Sequence, residues 1–145
     1  MAGIFHDGGE SWILQRAFSL EQAGPTATFA LGLASDTLVE SDRISDILGE
    51  PYGTESGYSR QLIAASAVGF VITQTDPSWQ AAIPAVTFTA SGANMGTVNR
   101  WFLTNEGLSG ELGGSAELIY SGDVDPARTI NDGDYLTQTS YLQVK

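Results

Sequence analysis

The residues able to carry chemistry are few. The chain has one histidine, His6, and no cysteine, which excludes thiol nucleophiles, cysteine-held zinc, cysteine-held iron–sulfur clusters and disulfides. His6 stands beside Asp7, Gly8 and Gly9 in a stretch that reads as a flexible arm. A general base must be held within hydrogen-bond reach of its proton, and the sequence predicts a solvated imidazole that nothing holds. Ser59 and Ser109 have glycine neighbours, but neither stands in G-x-S-x-G, and there is no second histidine to build a triad. The acidic residues number 17, so chance carboxylate pairs are common, and the separation a glycosidase needs is not readable from spacing. The reading is non-enzymatic, with no cofactor and no catalytic or metal-ligating residue assigned.

The sharpest acidic cluster is Gly122-Asp123-Val124-Asp125-Pro126 with Asn131-Asp132-Gly133-Asp134. Asp and Asn oxygens in turns suit Ca²⁺, but the spacing departs from the twelve-residue EF-hand loop. Aspartates in such turns more often accept hydrogen bonds from their own backbone amides, and that is the expectation here.

The aromatic residues point to binding. Trp101 and Phe102 are adjacent in a predicted strand, so they face opposite sides of a sheet. One belongs to the core, and the other needs a cover, for which a partner surface is a candidate. Trp79 follows Asp76-Pro77-Ser78 in a predicted loop, and Tyr52 and Tyr58 flank the glycine-rich end of a long connection. Large amphipathic residues of this kind are enriched at interfaces. Loop aromatics folded back on the domain, and a carbohydrate platform, are the competing readings.

These residues need a scaffold. With 145 residues, 42% of them hydrophobic, the chain is one domain with enough apolar content for a core. The balance of 6 basic against 17 acidic residues gives a net charge of -11, and the basic residues Arg16, Arg43, Arg60, Arg100, Arg128 and Lys145 are scattered. Nucleic acid binding draws on a basic patch, so no nucleic-acid partner is expected. The longest low-polarity stretch, residues 62–72, is too short for a membrane span, and residues 1–10 lack the basic start and apolar core of a signal peptide. A protein made and used without export, with no membrane partner, is expected.

From Ser11, a helix N-cap candidate, Ile13, Ala17 and Leu20 share one helical face until Gly24-Pro25 stops the run. Residues 26–33 then alternate with the period of a half-buried strand. Residues 35–58 are rich in turn formers and read as a long surface loop with one helical turn near Ile44, Ile47 and Leu48. Further strands are predicted at 60–66, 70–75, 85–90, 97–104, 116–121 and 135–144, separated by Gly, Asn and Pro punctuation. The predicted fold is mainly β, an antiparallel β-sandwich or jelly roll with a short N-terminal helix. Residues 1–10 form the arm, and residues 11–145 a single domain.

The order of several short motifs resembles that of small virion structural proteins of tailed bacteriophages. They are Phe29-Ala30-Leu31-Gly32-Leu33, the Gly-Tyr-Ser-Arg-Gln stretch at 57–61, Ala85-Val86-Thr87-Phe88, and Gly96-Thr97-Val98-Asn99-Arg100-Trp101. The closing pattern agrees: Leu118-Ile119-Tyr120-Ser121-Gly122, then Pro126 through the Asn131-Asp132-Gly133-Asp134 turn into Tyr135-Leu136. The resemblance spans residues 12–144 and departs from the family in its long acidic 35–58 loop and in lacking fibre-like repeats. It implies a capsid cement or decoration protein on the outer capsid surface of the virion, made in the host cytoplasm. Its implied partners are the major capsid protein and copies of itself in a small homo-oligomer, a trimer by family analogy. On this reading Ile4, Phe5, Trp12, Tyr52, Tyr58 and Trp79 are the contact residues. A tail or tail-tip component is the alternative within the particle, and a carbohydrate-binding β-sandwich module the alternative from another class.

Overall fold

In Thr28–Ala34, strand β2, Phe29, Leu31 and Leu33 alternate with Ala30, Gly32 and Ala34, so one face carries bulk and the other almost none. That asymmetry places β2 between a thick core and a close-fitting outer layer. The computed structural model describes residues 3–9, 28–51, 55–64, 70–75, 78–106 and 117–144. The helix predicted from Ser11, along with Trp12 and Tyr52, lies outside the described residues.

The other strands are β1 (Ile4–Phe5), β3 (Gln61–Ala64), β4 (Val71–Thr75), β5 (Ser78–Thr89), β6 (Gly96–Glu106), β7 (Leu118–Ile130) and β8 (Tyr135–Val144). They form two antiparallel sheets, one of five strands in the order β1-β7-β6-β2-β3 and one of three in the order β4-β5-β8. Both sheets contribute to one core: Phe29, Leu31, Leu33, Val98, Trp101, Leu103, Ile119 and Tyr120 from the larger, Ile83 and Phe88 from the smaller, with Leu136 and Leu142 packed against them. The fold is therefore mainly β and sandwich-like, as the alternation predicts.

Two strands extend well beyond the sequence expectation. Strand β5 begins at Ser78, so the backbone of Trp79 is not in a loop but pairs with Gln74 and Val144. Pro84 obscured this: it falls at the register shift between Ile83 and Val86, where its missing N–H costs no ladder bond. The Gly122–Pro126 stretch is not a turn but the middle of β7. Residues 124–127 bulge there opposite Asn99, because the register steps from Val98↔Arg128 to Arg100↔Asp123.

The N-terminal segment departs most. It is not a free arm between residues 3 and 9: Ile4 pairs with Ser121 and Phe5 with Tyr120, and residues 7–9 turn into a helical conformation. His6 is completely buried rather than solvated. The segment is held by a strand more than a hundred residues away, which no local pattern announces.

Candidate interaction surface

The outer face of the five-stranded sheet is covered by the chain itself. Phe102 faces away from the main core and forms a second apolar cluster with Ala34, Leu38 and Leu118, with Ile44 and Ile47 packed against it. The cover for the second of the two adjacent aromatics is thus the chain's own 35–50 loop, and no partner is needed there. Gly32 makes room for it, since a Cβ on Gly32 would stand 2.2 Å from the Phe102 ring. A single 3₁₀ turn, Ile44–Asp46, brings Ile44 and Ile47 down, and the Arg43 N–H donates to Asp46 to fix its start. The N-terminal segment completes the layer: His6 Nε2 lies 2.9 Å from Ser121 Oγ, and the Asp7 N–H donates to the Glu40 carbonyl at 3.1 Å. Burial pulls the His6 imidazole below its ordinary pKa of 6.5, opposed by the Val39 and Glu40 backbone and by the Asp42 and Asp7 carboxylates.

At the open end of this layer the polar groups satisfy one another. Strand β3 pairs with β2 only as far as Leu31, and beyond it the Leu33 N–H donates to the Tyr58 hydroxyl at 2.9 Å. Tyr58 donates in turn to Glu50, which also accepts both Nε and a terminal nitrogen of Arg60 at 2.8 Å each. The Arg60 guanidinium lies 5.1 Å from the centre of the Phe102 ring. Burial pushes the Tyr58 hydroxyl above its ordinary pKa; the Leu33 N–H opposes this and Glu50 reinforces it.

Most of the residues expected to make contacts are therefore used internally or lie outside the described residues. Tyr58 stacks on Phe88 at 5.9 Å. Phe5 packs edge-on against Tyr120 at 4.7 Å, and Ile4 is half-buried beside it. Trp79 is placed only by its backbone, in β5. The 131–134 turn is likewise occupied by backbone amides, its own and its neighbour's: Asp134 accepts from Asn131 N, Asp132 accepts from Gly92 N, and Asp132 N donates to Asn94. Asp123 pairs with Arg100 at 2.6 Å. Among the described residues no group of three His, Asp or Glu side chains is placed to hold a metal ion.

The surface that sequence reasoning missed is the outer face of the three-stranded sheet. Strands β4, β5 and β8 contain no Asp, Glu, Lys or Arg, in a chain of net charge -11. Register places Val71, Ala82 and Tyr141 in one row across this sheet, and Thr73, Gln80 and Gln143 in the next. Beyond the bulge come Thr87 with Thr137, whose hydroxyls lie 2.9 Å apart, and Thr89 with Tyr135. Val71, Tyr135 and Tyr141 are 50%, 72% and 43% exposed, an apolar and aromatic content unusual for a solvated face. The signal was present in the sequence: between Arg60 and Arg100 only Asp76 is charged, and nothing is charged from Tyr135 to Val144. It is invisible to a strand-by-strand search because it emerges only when β4, β5 and β8 are laid side by side.

A comparison with protein-family models gives no match, and a comparison with curated proteins gives none either.

Proposed function

We propose that this chain is a non-enzymatic structural protein of a tailed-bacteriophage virion, a capsid decoration subunit that binds the major capsid protein. The observation that carries the reading is the uncharged outer face of the three-stranded sheet. Interface centres are depleted of charge and enriched in tyrosine, and a face of this kind is costly to leave exposed unless something covers it. Its counterpart is the acidic layer of Asp36, Glu40, Asp42, Asp46 and Glu50 on the opposite sheet, which keeps the outward side of a seated subunit hydrated. The mechanism is binding energy alone, with many weak copies of one contact combining on a repetitive shell. The resemblance of several short motifs to those of small phage virion proteins supports the setting.

The test uses particles that contain this polypeptide, stripped of it and remixed with the purified chain. Wild type should refill the shell to hundreds of copies, and Tyr141→Asp, which places a charge in the central row, should lower occupancy at least tenfold. Wild-type chain that leaves the shell empty overturns the reading, and saturation at a handful of copies moves the subunit to the tail. Exposed Tyr135 and Tyr141 among threonines and glutamines also suit a sugar surface. Glycan binding that Tyr141→Asp abolishes, together with empty shells, would replace the virion reading by that one.

A further inference from the structure

Strand β8 is an edge strand: it pairs with β5 on one side, and among the described residues no strand pairs with its other side. Edge strands normally carry charges, prolines, bulges or a short length that prevent pairing with another chain. The ten residues of Tyr135–Val144 contain no charge, no proline and no glycine. The bulge in this pair belongs to β5, where Ile83 to Val86 spans one residue more than Ser140 to Gln138. The remaining edges are poorer templates. Strand β1 has two residues, β3 has four and begins beside the Arg60–Glu50 ion pair, and β4 has five.

We propose that two copies of this chain pair antiparallel along the outer edges of β8, around a twofold axis at Thr139, joining the two three-stranded sheets into one. The occupant is a second copy because charge and sequence both select it. Each copy carries -11, so any approach that brings acidic layers together is repulsive, whereas paired strands stand about 4.7–4.9 Å apart and the two copies of β8 themselves carry no charge. In a twofold antiparallel pair each residue meets the one equidistant from the axis on the partner. With the axis at Thr139, Thr139 meets Thr139, Thr137 meets Tyr141, and Tyr135 meets Gln143 on the outer face. On the inner face Leu136 meets Leu142, both of which already pack against the core, and between these pairs Gln138 meets Ser140, polar against polar. Moving the axis by one residue keeps the faces matched but pairs Leu136 with Ser140 when the axis is at Gln138, or Leu142 with Gln138 when it is at Ser140, placing a polar side chain against a leucine.

This pairing deepens the reading of the chain as a small homo-oligomer that decorates a shell, and gives a dimer where family analogy implies a trimer. It also makes one subunit's uncharged face twice as wide, so that a bound dimer gains avidity.

The absence of native cysteine allows a clean test. Paired residues in an antiparallel sheet have Cα atoms about 4.5 or 5.5 Å apart, inside the span of about 4.4–6.8 Å that a disulfide bridges. Thr139→Cys under mild oxidation should therefore yield a covalent dimer. Thr87→Cys, also exposed but on the central strand, should stay single under the same conditions. Sedimentation of the wild-type chain should give twice the monomer mass, and added salt should strengthen it by screening the acidic layers. A monomer at every concentration, a mass of three chains, or equal cross-linking of Thr139→Cys and Thr87→Cys overturns the pairing. These measurements use no capsid, so a dimer that leaves shells empty sinks the decoration reading alone, and a monomer that fills them sinks the pairing alone.

Discussion

On the outer face of the five-stranded sheet, Phe102 lies beneath Leu38, Ile44 and Ile47, and the surrounding polar groups bind one another. The outer face of the three-stranded sheet carries Val71, Tyr135, Tyr141, threonines and glutamines, with no charge among them. The first face is completed by the chain's own loop and N-terminal segment, so its side chains serve stability. The second holds side chains that no described residue covers, which suits it to the contact proposed for it. The acids sort with this division, gathering in the covering loop and leaving the second sheet neutral. Exposed Val39 and Leu48 on the first side are flanked by acid at Glu40 or at Glu50 two residues on, while Leu62, 72% exposed opposite Ala30, marks the β3 edge that the covering loop does not reach.

The contrast predicts where stability resides. Phe102→Ala should empty a fully buried site and cost about 3–5 kcal/mol, the largest effect of any substitution considered, measured by urea unfolding. Gly32→Ala, whose new Cβ meets the Phe102 ring at 2.2 Å, should cost about 1–3 kcal/mol by overpacking. In a Phe102→Ala background that cost should shrink, because the clash and the cavity share one space. Additive costs would mean that the ring does not occupy the face over Gly32.

Next in size is Glu50→Ala. It removes the acceptor shared by Tyr58 and Arg60, whose ion-pair side chains are 19% and 12% exposed for Arg60 and Glu50. Leaving a largely desolvated guanidinium and a hydroxyl without their carboxylate should cost about 2 kcal/mol. Arg60→Lys should recover little of the planar contact over Phe102, since an ammonium cannot reproduce the two-nitrogen grip on Glu50. Chemical unfolding of both variants checks this.

The legible part of the fold was the part written in alternation and turn chemistry. Strands β2, β4, β6 and β8 lie within two residues of their expected limits. Trp101 and Phe102 were correctly assigned to opposite faces. What failed was long-range. Nothing near His6 indicates that Ser121 waits for it, and nothing near Phe102 indicates that residues 38–47 fold over it. Tyr58 and Phe5 have the right composition for an interface, and their hydroxyl and ring also find partners inside the chain. The neutral sheet needed no long-range knowledge of side chains, only the pairing of three uncharged segments, and single segments without charge are too common to attract notice.

His6 gives the covered face a pH dependence that the open face lacks. Its folded pKa is lowered from 6.5, mainly by burial, so below 6.5 the unfolded chain takes up a proton that the folded chain refuses. Its contribution is therefore complete above pH 6.5 and is lost as pH falls from there toward the folded value. Unfolding curves between pH 7.5 and 5 should show a loss of stability that is smaller in His6→Gln than in wild type. Equal slopes would place the acid sensitivity wholly in the carboxylates.

The smallest effect on stability, and the sharpest test of the contrast, belongs to the open sheet. Thr137 is exposed and shares its hydroxyl contact, among the described residues, with Thr87, and Tyr141 faces outward beside Ala82. Surface substitutions away from such constraints usually change stability by within about 0.5 kcal/mol, so Thr137→Lys and Tyr141→Asp should unfold almost as wild type does. If this face exists for contact, the same two changes should nevertheless lower shell occupancy at least tenfold, because a charge buried at an interface centre is left without a partner. A protein in which Phe102→Ala costs several kcal/mol yet still binds once folded, while Tyr141→Asp costs almost nothing and does not bind, has separated folding from contact between its two sheets. Should Tyr141→Asp instead unfold the chain, the open face is a structural one, covered within the molecule, and the division of labour between the two sheets is lost.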